Sequence, residues 1–187
     1  MKKYINLTLA GCGLLGFLLI TGLVRGEDEK HEKHEMSVKK AICVVHALGD
    51  SGVAGIVTFT QRDGFVEVYA QITGLTAGSH GFHIHEFGDL SAADGSSAGG
   101  HFNPGHAPHG GPEAKEHHAG DLGNLEADED HVAHFELNDK TIKLNGPNSI
   151  VGRSIIIHAK ADDLKTQPSG DSGPRIAGGT IGIGKPE

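Results

Sequence analysis

Two imidazoles one residue apart, in Gly81-Phe82-His83-Ile84-His85-Glu86-Phe87-Gly88, project from one face of an extended chain and can grip a single metal ion. More histidines follow at short range: His101 in His-Phe-Asn-Pro, His109 in His-Gly-Gly-Pro, and His118 with Asp121 in His-Ala-Gly-Asp-Leu-Gly-Asn. His158 comes directly after the apolar run Ile155-Ile156-Ile157. Imidazole suits copper and zinc, a carboxylate added to imidazoles suits zinc, and four nitrogens in a near-planar set suit oxidised copper. Both sets are available among these six histidines and one aspartate. Two four-coordinate sites need eight donors, so seven residues suffice only if one imidazole bonds both ions through its two nitrogens. His101 is the natural candidate, because it opens the loop cluster nearest the paired histidines.

These donors need two kinds of support. His83, His85 and His158 fall on strand-like segments, which hold positions rigidly. His101, His109, His118 and Asp121 fall in one stretch, Gly88 to Gly120 and just beyond, that has no strand pattern. So long a loop in a compact domain is usually functional. Strands are expected at Lys39 to His46 and Val53 to Gln61 around the turn Gly49-Asp50-Ser51-Gly52, then where Val66, Val68, Ala70 and Ile72 alternate with polar residues. Ser79 to Phe87, Leu122 to Ala127, Val132 to Leu137, Ser154 to Ala159 and Gly178 to Gly184 bring the total to about eight. Few aromatics, no Trp and 29 Gly agree with an all-β barrel or sandwich. A second polar loop, Asp162 to Arg175, lies before the last strand, so the chemistry is expected outside the barrel, where two long loops can close over metal.

The chain has 187 residues, enough for one domain with a substantial core once an N-terminal apolar segment is set aside. Lys2 and Lys3 precede a charge-free stretch from Tyr4 to Val24, followed by Arg25 and the acidic Glu27-Asp28-Glu29. Residues 1–26 read as an export signal, with Val24-Arg25-Gly26 permitting cleavage after Gly26. The stretch over residues 4–24 is also long enough to span a bilayer, which makes a retained membrane anchor the alternative. Leu9-Ala10-Gly11-Cys12 resembles a lipid-acceptor site, although the apolar stretch that should precede such a cysteine mostly follows it. Residues 27–38 alternate Glu, Lys and His and read as a solvated tether in which His31 and His34 are expected to be inert. The domain proper then covers 39–187. Cleavage at Gly26 would shift the net charge from −8 to −11, which excludes nucleic acid as a natural partner. Cys43, in Ala41-Ile42-Cys43-Val44-Val45, is expected to be buried, and no disulfide can form within the domain.

The motifs together resemble copper/zinc superoxide dismutase over about Lys39 to Gly184. The match rests on the four histidine segments above together with His-Ala-Lys-Ala-Asp-Asp-Leu and Gly-Pro-Arg-Ile-Ala-Gly-Gly-Thr-Ile-Gly-Ile, in the family's order. The resemblance implies an eight-stranded Greek-key β-barrel or sandwich. It implies copper held by His83, His85, His101 and His158, and zinc held by His101, His109, His118 and Asp121, with His101 as the bridge. Copper would cycle between two oxidation states, turning superoxide into oxygen and hydrogen peroxide, while the bridging nitrogen of His101 takes up a proton. Arg175 matches the arginine that positions the anion, and Asp162 matches the carboxylate that links a ligand of each metal.

One departure from the family is plain. Its disulfide joins the loop ahead of the bridging histidine to the last strand. Here those segments read Ser91-Ala92-Ala93-Asp94-Gly95-Ser96-Ser97 and Ala177-Gly178-Gly179, so both partners are missing. Loop order is therefore expected to depend more on zinc. The altered loop lies where the family makes subunit contacts, which leaves a homodimer open. The short loop with Gln167-Pro168-Ser169-Gly170-Asp171 resembles the bacterial version and fits delivery to a periplasm or cell envelope. A copper and zinc store without catalysis is the alternative function, and the retention of Arg175 argues against it. His46, His80, His106, His117, His131 and His134 match no ligand position and read as solvated or hydrogen-bonded. Lys160 and Lys165 are expected to be solvent-facing charges that could guide superoxide.

Overall fold

The computed structural model describes residues 37–186. The export or anchor segment, Cys12, and the tail histidines His31 and His34 lie outside the described residues. Eight strands form: β1 (Lys40–Ala47), β2 (Ala54–Gln61), β3 (Val66–Thr73), β4 (Gly78–His85), β5 (Asp121–Ala127), β6 (Val132–Asp139), β7 (Ser154–His158) and β8 (Arg175–Ile183). They close into an antiparallel barrel in the order β1-β2-β3-β6-β5-β4-β7-β8. The expected all-β, eight-stranded class is what the chain adopts. Among the described residues no helix is long and apolar enough to cross a membrane.

Alternation decides which side chains fill the barrel. On β3, Val66, Val68, Ala70 and Ile72 are buried while their neighbours face outward. Phe59, Phe82, Ile84, Leu125, Ile155 and Ile157 join them in one apolar cluster. Each such side chain contributes about 1.5–3 kcal/mol by leaving water. Phe82 meets Phe135 edge to face, with ring centroids 5.1 Å apart. Cys43 sits in this core as the only cysteine among the described residues, and burial pushes its thiol up to about 12. It is an inert apolar side chain.

β4 departs from simple alternation, since every residue from His80 to His85 is buried. Phe82 and Ile84 point into the core, so the alternate His83 and His85 point out of the barrel and are covered there by the loops. Pairing is irregular beside both ligand-bearing strands, between Gly81 and His83 on β4 and between Ile157 and His158 on β7. Such irregularities bend a strand and re-aim its side chains.

Two residues assigned to loops begin strands instead. Asp121 is the first residue of β5 and pairs with His83, and Arg175 is the first residue of β8 and pairs with His158. Gly120 and the Gly173-Pro174 pair hide these starts from a pattern-based reading.

Candidate metal centre

The long loop reaches β4 by continuing its sheet. Where β5 begins at Asp121, the segment Gly100 to Phe102 takes over the adjacent edge of β4. The Phe102 amide donates to the Ile84 carbonyl at 2.8 Å, the Glu86 amide to Gly100 at 2.9 Å, and the Phe87 amide to Ala98 at 2.9 Å. This makes His101 the bridge partner of His85. Gly120 closes the arrangement, because a Cβ there would lie 2.2 Å from the Ile84 carbonyl oxygen. Only glycine allows the loop so close to the strand.

Seven side chains converge in two groups that share a residue: His83, His85, His101 and His158, and then His101, His109, His118 and Asp121. Within each group the potential ligand atoms lie within 4.8 Å of one another. Both sets read from the sequence are therefore brought together complete, on the outer face of β4 and β7 and under the two loops.

In the first group each ring commits one nitrogen to the protein. His83 Nε2 lies 2.7 Å from Asp162 Oδ2, His85 Nδ1 3.0 Å from the Gly99 carbonyl, and His158 Nδ1 3.0 Å from the Gly173 carbonyl. His101 Nδ1 lies 2.7 Å from Asp121 Oδ1. The opposite nitrogens, His83 Nδ1, His85 Nε2, His101 Nε2 and His158 Nε2, are buried and without a partner. Burying four bare imidazole nitrogens in one place is unfavourable unless a cation accepts them.

The second group repeats this pattern with a carboxylate. His109 Nδ1 lies 3.1 Å from Asp121 Oδ2, His118 Nδ1 3.2 Å from Asp121 Oδ1, and the Nδ1 atoms of His118 and His101 are 3.5 Å apart. A tetrahedral ion with ligands at about 2.0–2.1 Å has donor-to-donor edges of about 3.3 Å, so these spacings suit zinc. His109 Nδ1 is a further buried nitrogen with no hydrogen-bond partner.

Charge follows the same logic. Burial, with positive neighbours, lowers His83 to about 3 and His158 to about 4 and places His85 well below the usual range. These rings are neutral at ordinary pH and free to bind metal. Burial also opposes charge on His109, but the carboxylates of Asp121 and Asp162 outweigh it and raise the group to about 9. Hydrogen bonds from the histidines hold both carboxyls ionised against the effect of burial.

Asp162 joins the groups. Its Oδ2 faces His83, and its Oδ1 lies 2.9 Å from His109 Nε2. Asn124, the last residue of the motif that carries His118 and Asp121, clamps the Asp162 backbone through its carboxamide at 2.7 and 2.9 Å. Gly170, also unassigned, has φ +68°, and a Cβ there would lie 1.8 Å from Asp162 Oδ1. A fixed orienting carboxylate therefore requires glycine at this position.

Arg175 is half-buried, and its guanidinium donates to the carbonyls of Gly95 and Gly99, the two ends of the 3-10 turn Ser96–Ala98. The Gly99 carbonyl also accepts from His85, so one oxygen connects the arginine to a ring of the first group. The unassigned histidines are accounted for otherwise. His80 is buried between Thr76 and the His158 carbonyl, His131 bonds the Leu75 carbonyl and His117 the His118 carbonyl. His46, His106 and His134 are exposed.

A family model described as copper/zinc superoxide dismutase (SODC) matches residues 53–181. The chain belongs to the copper/zinc superoxide dismutase family. Superoxide dismutase [Cu-Zn] A of Xenopus laevis is 47% identical over 151 residues, covering 77% of this chain and 97% of that protein. Extracellular superoxide dismutase [Cu-Zn] of Onchocerca volvulus is 40% identical over 161 residues, covering 80% and 79%. As a member of this family the protein is an oxidoreductase that converts superoxide to oxygen and hydrogen peroxide, with copper and zinc as its cofactors. Family membership favours this over a non-catalytic metal store.

Proposed function

We propose that copper is held by His83, His85, His101 and His158, that zinc is held by His101, His109, His118 and Asp121, and that the His101 ring bridges them. The observation carrying this reading is that the two donor groups share His101 alone and leave unpartnered nitrogens where ions would sit. Bound copper supplies one-electron exchange with superoxide, and zinc supplies fixed charge without redox chemistry. His101 Nε2, which has no protein partner, is the atom at which a proton is taken up and passed on. Asp162 keeps the His83 and His109 rings in the orientation that frees their other nitrogens. Arg175 keeps its charge at any working pH and draws the small anion towards the first group. Metal content tests the assignment. His158→Ala is expected to lose copper and retain zinc, His118→Ala to lose zinc first, and His101→Ala to disturb both. A His158→Ala protein with full copper would refute it.

The net charge of −8 repels superoxide, so a local positive field must offset it. Lys160 is exposed, and its stem lies over Gly173, whose carbonyl accepts from His158. Lys160, with Lys165, extends the pull of Arg175. Raising ionic strength from about 0.01 to about 0.15 M shortens the screening length from about 30 to about 8 Å and should slow superoxide removal. A rate indifferent to salt would exclude steering.

Export is supported by the charge-free stretch from Tyr4 to Val24 and by the extracellular relative. Residues 1–26 direct the chain to the periplasm or cell envelope, 27–38 form a tether, and 39–187 form the enzyme domain. Retention of residues 4–24 as an anchor, or a lipid on Cys12, is the alternative, and the mass of the exported chain separates them. A homodimer is the proposed assembly, since the altered loop ahead of His101 lies where the family makes subunit contacts, and sedimentation would detect it.

A further inference from the structure

Gln167 is exposed and belongs to no motif with an evident metal role, yet its carboxamide holds the backbone of His109 from both sides. Its Oε1 accepts from the His109 amide at 2.8 Å, and its Nε2 donates to the His109 carbonyl at 2.9 Å. The two bonds close a ring like that of a paired strand and set the direction in which the His109 Cα–Cβ bond points. The ring nitrogen Nε2 is held by Asp162 at 2.9 Å, and the next amide, Gly110, donates to Asp121 Oδ2 at 3.1 Å. With backbone and Nε2 both fixed, Nδ1 is the one ring nitrogen left to meet an ion.

The segment bearing Gln167 is itself tied down. The Asp163 carboxylate accepts from the amides of Lys165 and Thr166 at 2.9 and 2.8 Å. The turn is closed by Asp163 N to the Gly170 carbonyl at 2.9 Å and by Gly170 N to the Thr166 carbonyl at 2.6 Å. Gln167 reaches the first loop across 58 residues of sequence, in a domain whose only described cysteine is buried in the core. We infer that Gln167 is a positioning residue for zinc, presetting His109 so that the ion meets a donor already in place. The inference rests on the assignment of His109 to zinc.

Zinc competition against a chromophoric chelator, with the full chain stripped of metal and titrated, tests it. Outer-shell partners typically alter metal affinity by about 10–100-fold, and Gln167→Ala is expected to weaken zinc within that range while copper affinity stays close to wild type. Gln167→Glu keeps the acceptor and loses the donor, and is expected to fall between. Cobalt placed in the zinc position should show an altered visible spectrum in Gln167→Ala. Unchanged zinc affinity and cobalt spectrum in both variants would overturn the inference, even if the metal-free protein melted lower. His109→Ala in the same titration separates the two readings. If it binds zinc like wild type, the ligand assignment fails. If it is weakened and the Gln167 variants are not, only the positioning role fails.

Discussion

Removing copper and zinc with a chelator is expected to lower the melting temperature by roughly 10 °C or more. Four buried ring nitrogens, on His83, His85, His101 and His158, have no protein partner, and a fifth, on His109, faces the Asp121 carboxylate at 3.1 Å. A buried polar atom left unsatisfied costs about 1–3 kcal/mol, and for a chain of this size each kcal/mol moves the melt by about 2–4 °C. Among the described residues no covalent staple compensates: a native disulfide in a secreted domain is typically worth about 2–5 kcal/mol, and the sole described cysteine is free and buried. The stabilisation that orders the loops therefore comes from metal and from the ties made by Arg175, Asp162 and Gln167. Zinc alone should recover most of the loss, because three of its proposed ligands, His101, His109 and His118, sit on the long loop. Copper should then restore dismutation. Calorimetry of the stripped and reloaded protein checks this, and a stripped protein melting with the loaded one would refute it.

Arg175→Ala is expected to slow superoxide removal by about 10-fold or more, the scale on which focused charge raises association rates. The guanidinium also ties the turn ahead of His101 through the Gly95 and Gly99 carbonyls. Two effects are therefore mixed in the alanine variant, and Arg175→Lys separates them. Lysine keeps the charge and loses the planar fork that meets two carbonyls at once. An intermediate rate, with a salt dependence like that of wild type, would assign the larger share to charge. Metal content is expected to hold in both variants, because His85 keeps its own bond to Gly99. Full activity in Arg175→Ala would remove the arginine from the mechanism.

Much of the scaffold could be read directly from the residues. The β3 alternation, the turn at Gly49 to Gly52 and the apolar run before His158 each reflect a period or a turn chemistry that acts within a few residues. The donor list was legible for a similar reason, since His83 and His85 share a face whenever that segment is extended. Imidazoles and a carboxylate also advertise their chemistry wherever the chain carries them.

What the chain alone left open is which atoms are free and what holds them. Asn124 closes the motif that carries His118 and Asp121, but nothing local gives it, Gln167 or Gly170 a role, because their partners lie far along the sequence: Asn124 meets Asp162 across 38 residues and Gln167 meets His109 across 58. The choice between Nδ1 and Nε2 at each ring depends on whichever carbonyl or carboxylate the fold brings to the other nitrogen. The amino-acid sequence by itself determined the barrel pattern, the seven candidate donors with their division into two sets sharing His101, and the lack of a second cysteine in 39–187. Only the tertiary structure decided which nitrogen of each ring stays free and how His101 is carried to His85, because that depends on loop backbone pairing with the edge of β4, an arrangement set by long-range hydrogen bonds and burial and not by any local period.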